Sequence, residues 1–192
     1  MAFLDDSANL GTALVVIAIV GFIDAISAIV GSFSHHAFRG LLLSGIGQAV
    51  CAVLFLRLGM EFRRSPYASM VMLSKYVRVV GITMIVSAVS SIAFGLFTVT
   101  VNLVFGLVVF WVSRRLDSHR RENVDRILWY LLVVAFALMA LASLASALSS
   151  IPGLLASAWS LTVLASSLAN LFVSVFMLIL LMEGDVRMSM GT

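Results

Sequence analysis

The chain has 192 residues, of which 62% are hydrophobic and only 11% are charged. An ordinary soluble domain is about 45–50% apolar and about 25% charged, and a soluble fold of this size could not bury so much apolar surface. Composition therefore excludes a soluble domain and predicts an integral membrane protein. Its twelve basic residues are too few for a soluble nucleic-acid-binding protein, so we expect no nucleic-acid partner.

Six apolar runs follow one another, each long enough, or nearly so, to cross the hydrocarbon of a bilayer, which takes about 20 residues. We predict an all-α polytopic integral membrane protein with six transmembrane helices arranged as three tandem hairpins. All of them belong to a single membrane domain over residues 1–192. The predicted spans are approximately residues 10–33, 40–56, 77–95, 97–113, 128–148 and 155–182.

The first run contains the most informative residue, Asp24, inside the apolar stretch Leu10–Phe33. At about 1.5 Å per helical residue, Asp24 lies a few ångströms from the middle of this span. Ionisable groups at that depth are usually paired, protonated or functional. The run follows an acidic segment and is too long for the apolar region of a signal peptide, so we predict a retained span.

The second run places a carboxamide at the level of this carboxyl group. If the first hairpin turns near His35 and His36, Asp24 faces Gly47 and Gln48 across it. The Gln48 amide is then positioned to donate a hydrogen bond to the Asp24 carboxyl, and Gly47 permits close backbone approach. Two interpretations stay open: a neutral Asp–Gln pair that joins two helices, or a site for a proton, a cation or an amine ligand.

Residues 79–112 form one apolar stretch whose topology is decided by charge. At the standard rise it would extend roughly 51 Å as one helix, too long for one pass and slightly short for two. If it folds back near Gly95, eleven of the twelve basic residues share one side, with Arg39 opposite. This bias is typical of a cytoplasmic surface. We therefore predict six spans with both termini cytoplasmic, in the plasma membrane of a prokaryote.

Small and weakly polar residues recur at four-residue spacing in the later helices, as in Ser87-Ser91-Gly95, Ala142-Ser146-Ser150 and Ser166-Asn170-Ser174. Such stripes let helices approach closely, which favours a packing role. The second helix of each hairpin also carries one carboxamide. The alternative is a polar intramembrane site, whose candidate residues are Asp24, Gln48, Asn102 and Asn170.

Basic residues on the cytoplasmic side predict a second surface. Ser65-Pro66 is typical of an N-cap followed by proline in the first helical turn, which predicts a short helix over residues 66–78 that leads into the third span. The surrounding cations suit anionic lipid headgroups or a docking partner. The candidate residues of this surface are Arg63, Arg64, Lys75, Arg78, Arg114, Arg115, Arg120 and Arg121.

Catalytic chemistry is not indicated. The three histidines, His35, His36 and His119, lie outside the spans, so neither a nucleophile–histidine pair nor haem ligation is expected within the bundle. A structural zinc site normally needs four ligands, and the predicted turn that carries His35 and His36 does not supply them. The single cysteine excludes an intrachain disulfide. We expect no catalytic residue, no metal and no cofactor, and hence no enzyme.

The layout resembles two groups of proteins. Its length, six spans and Ala/Ser/Gly-rich hairpins, such as Ile26-Ser27-Ala28-Ile29-Val30-Gly31, resemble the HdeD-like bacterial membrane proteins, which implies a stress-associated role without catalysis. Size and span number are also similar to the substrate-binding subunits of energy-coupling-factor vitamin transporters. Those subunits bind a small ligand near the outer face and dock through small-residue motifs in the first helix, comparable with Gly21-Phe22-Ile23-Asp24-Ala25.

These observations predict a small non-catalytic membrane protein that acts through helix–helix association, as a homo-oligomer or as an accessory subunit of a membrane complex. Its expected partners are membrane lipids and either itself or other membrane subunits. One alternative is the substrate-binding subunit of a small-molecule, vitamin-type transporter. Another is a proton- or cation-coupled carrier or channel that uses Asp24. The sequence leaves open whether a small-molecule ligand exists.

Overall fold

The computed structural model describes residues 7–33, 38–65, 67–92, 96–117, 123–153 and 158–191. These residues form seven α-helices and one 3₁₀ turn, Ile151–Gly153. Helices α1 to α6 are long and apolar enough to cross a membrane, which confirms the prediction of an all-α chain with six such helices. The helices are α1 (Ser7–Ser32), α2 (Phe38–Arg64), α3 (Ser69–Ser90), α4 (Leu96–Asp117), α5 (Asn123–Ser150), α6 (Ala158–Met182) and α7 (Gly184–Ser189).

Helix α3 replaces two predicted elements with one. The predicted start of this helix, with an N-cap at Ser65 and Pro66 in the first turn, is wrong, because α3 begins at Ser69 after an extended Ala68. The helix predicted over residues 66–78 and the third span that it leads into form one helix, which continues unbroken to Ser90. The Ser65 amide instead donates to the carbonyl oxygen of Glu61 at 3.2 Å, so Ser65 closes α2. Pro66 lies outside the described residues.

The helices pack most closely in the pairs α1–α2, α3–α4 and α5–α6, and the next closest contacts are α2–α3 and α1–α6. The inner helices of the bundle are therefore α1, α2, α3 and α6, with α4 and α5 on its outside. The predicted fold-back of residues 79–112 is confirmed, because α3 and α4 are separate helices that lie side by side. The turn near Gly95 itself lies outside the described residues.

Glycine permits the closest helix approaches. A Cβ atom added to Gly11 of α1 would lie 2.6 Å from the carbonyl oxygen of Gly59 in α2. One added to Gly81 of α3 would lie 2.8 Å from the backbone nitrogen of Phe110 in α4. Helices that meet backbone to backbone gain dispersion contacts, which matter in lipid because apolar surface is already shielded from water.

Large buried side chains are concentrated in one half of the bundle. We call this the packed half; it contains the first halves of α1, α3 and α5, the last halves of α2, α4 and α6, and α7. In the opposite half, which we call the loose half, the buried residues of the described chain are mainly Ala, Ser and Gly. The packed core includes Leu10, Leu14, Phe62, Leu73, Tyr76, Leu116, Trp129, Phe136, Phe176, Met177 and Leu181.

Polar contacts reinforce the packed half. The Trp129 indole nitrogen donates to the carbonyl oxygen of Leu181 at 2.8 Å, which ties α5 to α6. Ion pairs join successive helices near the same end of the bundle, because the basic residues that flank the spans meet carboxylates on a neighbouring helix. The pairs are Glu61–Lys75 (α2–α3), Arg78–Asp117 (α3–α4) and Arg115–Asp125 (α4–α5, 3.1 Å).

Candidate functional site

Asp24 lies on α1 within the loose half, about 7 Å from the middle of the helix by the standard rise of 1.5 Å per residue. Its Oδ1 atom is buried and has no hydrogen-bond partner. Among the side-chain polar atoms of the described residues, it is the one buried atom in this condition. A buried carboxylate oxygen without a donor is costly. This oxygen is therefore the buried side-chain atom of the described residues whose desolvation the protein does not offset with a hydrogen bond.

A cavity of about 350 Å³ lies on one side of Asp24, between α1, α5 and α6. We call it the α5–α6 cavity. Its lining is rich in hydroxyl groups and includes one carboxamide, and none of the described residues that line it is basic. The lining residues are Val20, Asp24, Ala142, Ser143, Ser146, Thr162, Val163, Ser166, Ser167 and Asn170.

A second cavity, of about 250 Å³, lies on the other side, between α1, α2 and α3. We call it the α2–α3 cavity. Val20, Asp24 and Ser166 border both cavities, so the Asp24 carboxyl stands at the partition between them. Beyond these three, its lining residues are Ile17, Gly21, Ser44, Gly47, Gln48, Cys51, Ala52, Phe55, Ser87, Ser90 and Ser91.

Side-chain size explains why these cavities form. In the packed half, residues such as Phe62 and Phe176 fill the space between helices. In the loose half, the positions that face the space between the helices carry mainly Ser, Ala and Gly, whose side chains are too small to fill that space. Protein interiors are otherwise close-packed. The small-residue stripes therefore do more than let helices approach closely. Where two helices do not cross directly, the same small side chains leave cavities with polar linings.

Three of the hydroxyl groups that line the cavities, those of Ser90, Ser91 and Ser167, donate their protons to other groups of the protein. Ser90 Oγ donates to the carbonyl oxygen of Val86 at 2.6 Å, and Ser91 Oγ donates to that of Ser87 at 2.7 Å. Because each hydroxyl has one proton and two lone pairs, oxygens such as these can still accept hydrogen bonds. These two oxygens thus offer acceptors to the α2–α3 cavity.

The same pattern holds between α5 and α6. Ser167 Oγ donates to Ser146 Oγ at 3.1 Å, and the Asn170 amide donates to Ser166 Oγ at 3.3 Å. The first of these bonds joins the two helices, as the packing interpretation of the stripes requires. Ser146, Ser166 and Asn170 nevertheless line the α5–α6 cavity.

The four residues of the predicted polar site do not come together at one cavity. Gln48 and Asp24 border the α2–α3 cavity, and Asn170 and Asp24 border the α5–α6 cavity. Asn102, on α4, is half-buried and lines neither of them. The hydrogen bond expected from the Gln48 amide is not made to Asp24 Oδ1, which has no partner.

The rotation of α2 about its axis explains why the Gln48 amide does not donate the expected hydrogen bond to Asp24 Oδ1. We expected Gly47 to face α1, but a Cβ added to Gly47 would meet the Ser90 side chain of α3. Gly45 faces α1 instead, where an added Cβ would lie 3.0 Å from the carbonyl oxygen of Ala25. Depth along a hairpin is readable from sequence, whereas the rotation of each helix depends on how all the helices pack.

The polar lining residues that the sequence analysis missed include Thr162 and Ser44. A signal for Thr162 was present, since Thr162, Ser166 and Asn170 repeat at four-residue spacing on α6. The predicted stripe began one turn too late, at Ser166. Ser44 precedes Gln48 by one helical turn in the same way and borders the α2–α3 cavity.

The predicted basic surface is partly used within the protein. Lys75 pairs with Glu61 and lies over the Tyr67 ring, 3.9 Å from its centroid. Arg78 and Arg115 pair with carboxylates of neighbouring helices. Three other cations, Arg63, Arg64 and Arg114, are exposed, whereas Arg120 and Arg121 lie outside the described residues.

A third cavity, of about 320 Å³, lies at the end of α2 beside Arg64. It is lined by Arg57, Met60, Glu61, Arg64 and Ser65. Exposed guanidinium groups at the end of a membrane span are suited to anionic headgroups, so contact with membrane lipids stays a prediction for this face.

No protein-family model matches this chain, and neither the curated proteins nor the solved structures contain a significantly similar one. The resemblances noted from the sequence therefore depend on architecture alone. At the level that the fold supports, the protein is a multi-pass, all-helical protein with six apolar helices compatible with a membrane.

Proposed function

We propose that this protein is a non-catalytic membrane protein that binds a small ligand in its loose half, as the substrate-binding subunit of a transporter or as a carrier. The observation that carries the proposal is the unpartnered Asp24 oxygen between two polar cavities. Small-molecule sites are usually preformed cavities of about 300–1,000 Å³ with a few convergent polar groups. The α5–α6 cavity, at about 350 Å³, falls in this range.

The distribution of packing supports a site that opens toward one side of the membrane. The core of large apolar side chains closes the packed half, which carries most of the basic residues and which we propose to be cytoplasmic. The loose half then faces outward. A binding subunit for uptake needs an open outer half and a closed cytoplasmic half. Its ligand arrives from outside and must not cross the membrane without a coupled energy source.

Association through helix contacts, in a homo-oligomer or with partner subunits, stays a prediction. The residues that suggested it include Ser87, Ser91, Ser146, Ser166 and Asn170, and all five line the cavities. Their position favours ligand binding as the role of the stripes. A partner subunit remains part of the transporter proposal, since a binding subunit alone does not supply energy for uptake.

Access from outside is tested with a single cysteine at Ser166, which borders both cavities. In a Cys51→Ser background, we expect Ser166→Cys in intact cells to react with a membrane-impermeant, positively charged methanethiosulfonate. The reagent requires water and an open path, which the proposed outward cavities provide.

Two matched cysteines control for background reaction. Leu168 lies on the same helix but is 51% exposed on the lipid side, and Ser113 is 0% exposed in the packed half. Neither Leu168→Cys nor Ser113→Cys should be labelled. If Ser166→Cys is as unreactive as these two, the outward cavity is absent and the proposed function is wrong.

The proposed orientation is tested separately. Single cysteines at positions 36 and 119, which lie outside the described residues, should be labelled from outside and from inside, respectively. The reason is that the proposed cytoplasmic face carries eleven of the twelve basic residues, as the positive-inside rule requires. Reversed labelling, or labelling of both positions from one side, contradicts this orientation.

A further inference from the structure

The chemistry around Asp24 restricts the charge of a ligand. Among the described residues, neither cavity is lined by Lys, Arg or His, and the Asp24 carboxyl is the one ionisable acid or base of the two linings other than the Cys51 thiol. An anionic ligand would face an uncompensated carboxylate. A cation would satisfy the buried Oδ1 atom, because an ion pair with hydrogen bonds offsets desolvation far better than an unpaired charge does.

The size of the space restricts the kind of cation. A metal ion is held by several oxygens at 2.0–2.6 Å in a tight shell. Cavities of about 350 and 250 Å³ exceed what such a shell requires. Their oxygens are distributed over α1, α2, α3, α5 and α6 around this space. The arrangement suits an organic cation of several non-hydrogen atoms.

The serine oxygens of the lining and the scarcity of aromatic rings there restrict the cationic group. A primary ammonium has three N–H donors and needs three acceptors, which a carboxylate oxygen and lining serine oxygens such as those of Ser90 and Ser91 supply. A quaternary ammonium has no donor and is normally held in a cage of several aromatic rings. Phe55 is the one aromatic residue among the described residues that line either cavity.

From these three restrictions, and on the basis of the proposed function, we propose that the ligand is a small organic molecule with a primary ammonium group that pairs with Asp24. Its hydrocarbon portion lies in the α2–α3 cavity, against Ile17, Ala52 and Phe55. Hydroxyl or other polar groups of the ligand face the serine-rich α5–α6 cavity.

The test uses simple probes of stated charge and length on the purified full-length protein in detergent, with binding measured by isothermal titration at constant ionic strength. Methylammonium, ethylammonium and n-butylammonium should bind saturably, with affinity rising about fourfold for each methylene that enters the α2–α3 cavity. Butyrate and n-butanol should bind at least tenfold more weakly than n-butylammonium. Tetramethylammonium should also bind at least tenfold more weakly.

Asp24→Asn keeps the size of the side chain and removes its charge. We expect it to weaken n-butylammonium binding at least tenfold. Asp185→Asn is the matched control, because Asp185 is an exposed carboxylate on α7, away from both cavities; it should leave the affinity unchanged. Equal binding by wild type and Asp24→Asn overturns the proposal.

A second measurement does not depend on the folding of Asp24→Asn. In the Cys51→Ser, Ser166→Cys protein, n-butylammonium should slow labelling by the thiol reagent, while tetramethylammonium at the same concentration should not. If position 166 is labelled but n-butylammonium gives no protection, the ammonium proposal fails and the outward ligand cavity stands. Equal protection by tetramethylammonium also refutes the primary-ammonium assignment. If position 166 cannot be labelled at all, the proposed function itself fails.

Discussion

Replacing Gly11 by alanine is expected to lower the free energy of unfolding by about 1–3 kcal/mol, the usual cost of overpacking a well-packed contact. The added Cβ atom would lie 2.6 Å from the Gly59 carbonyl oxygen and 2.7 Å from Cγ of Arg63. The arginine side chain can move, whereas the Gly59 carbonyl belongs to the α2 backbone. Relief therefore requires α1 and α2 to separate, which removes dispersion contacts from the most closely packed helix pair.

The control is the same substitution on the same helix, at Gly31. A Cβ atom added there meets nothing within 4 Å. Gly31→Ala should leave stability unchanged or raise it by up to about 1 kcal/mol, because alanine loses less backbone entropy in a helix. The measurement compares unfolding midpoints of both variants with wild type in one detergent. Equal effects at the two positions would mean that the Gly11–Gly59 crossing is not a constraint.

Replacing Phe176 by alanine is expected to cost about 2 kcal/mol of stability. Truncation of a buried Phe in a soluble protein costs about 3–5 kcal/mol, but lipid tails are as apolar as a protein core, so in a membrane mainly the packing contribution is lost. Phe176 is only 1% exposed, lies in the packed half, and contacts Phe172 on the same helix at a ring-centroid distance of 6.1 Å.

The comparison variant is Phe105→Ala, because Phe105 on α4 is 60% exposed on the outside of the bundle. It should change the unfolding midpoint little, since its ring already faces lipid. A similar loss of stability in both variants would contradict the conclusion that large buried side chains stabilise mainly the packed half. A further consequence is that Phe176→Ala should reduce stability without reducing the affinity for n-butylammonium, because Phe176 borders neither cavity.

The contrast between the two halves also bears on how a ligand would move. A bundle closed at one end by large apolar side chains and three ion pairs would hold the proposed ligand in the loose half. Passage to the other side requires the packed half to open, or a partner subunit that deforms it. Rocking of helix hairpins about a fixed midplane site is a common solution in transporters. The tight α1–α2 crossing suggests that this hairpin would move as one body.

Several features of this protein follow from its sequence alone. Apolar runs of about the length of a bilayer indicate transmembrane helices, because every backbone polar group in lipid must be satisfied within its own helix. The placement of eleven of the twelve basic residues on one side separated α3 from α4, and a carboxyl group inside an apolar run identified Asp24 as the residue to explain. Hydrophobicity, length and charge are properties of segments, so no knowledge of helix packing is needed to read them.

The composition of the site was decided only by the tertiary structure. The sequence placed Asp24, Gln48, Asn102 and Asn170 at polar positions, but the rotation of each helix brings Asn170 and Gln48 to different cavities and Asn102 to neither. Rotation depends on which small residues meet at the crossings, as Gly45 and not Gly47 does against α1. The division into packed and loose halves arises in the same way, since large and small side chains produce a core or a cavity only once six helices align.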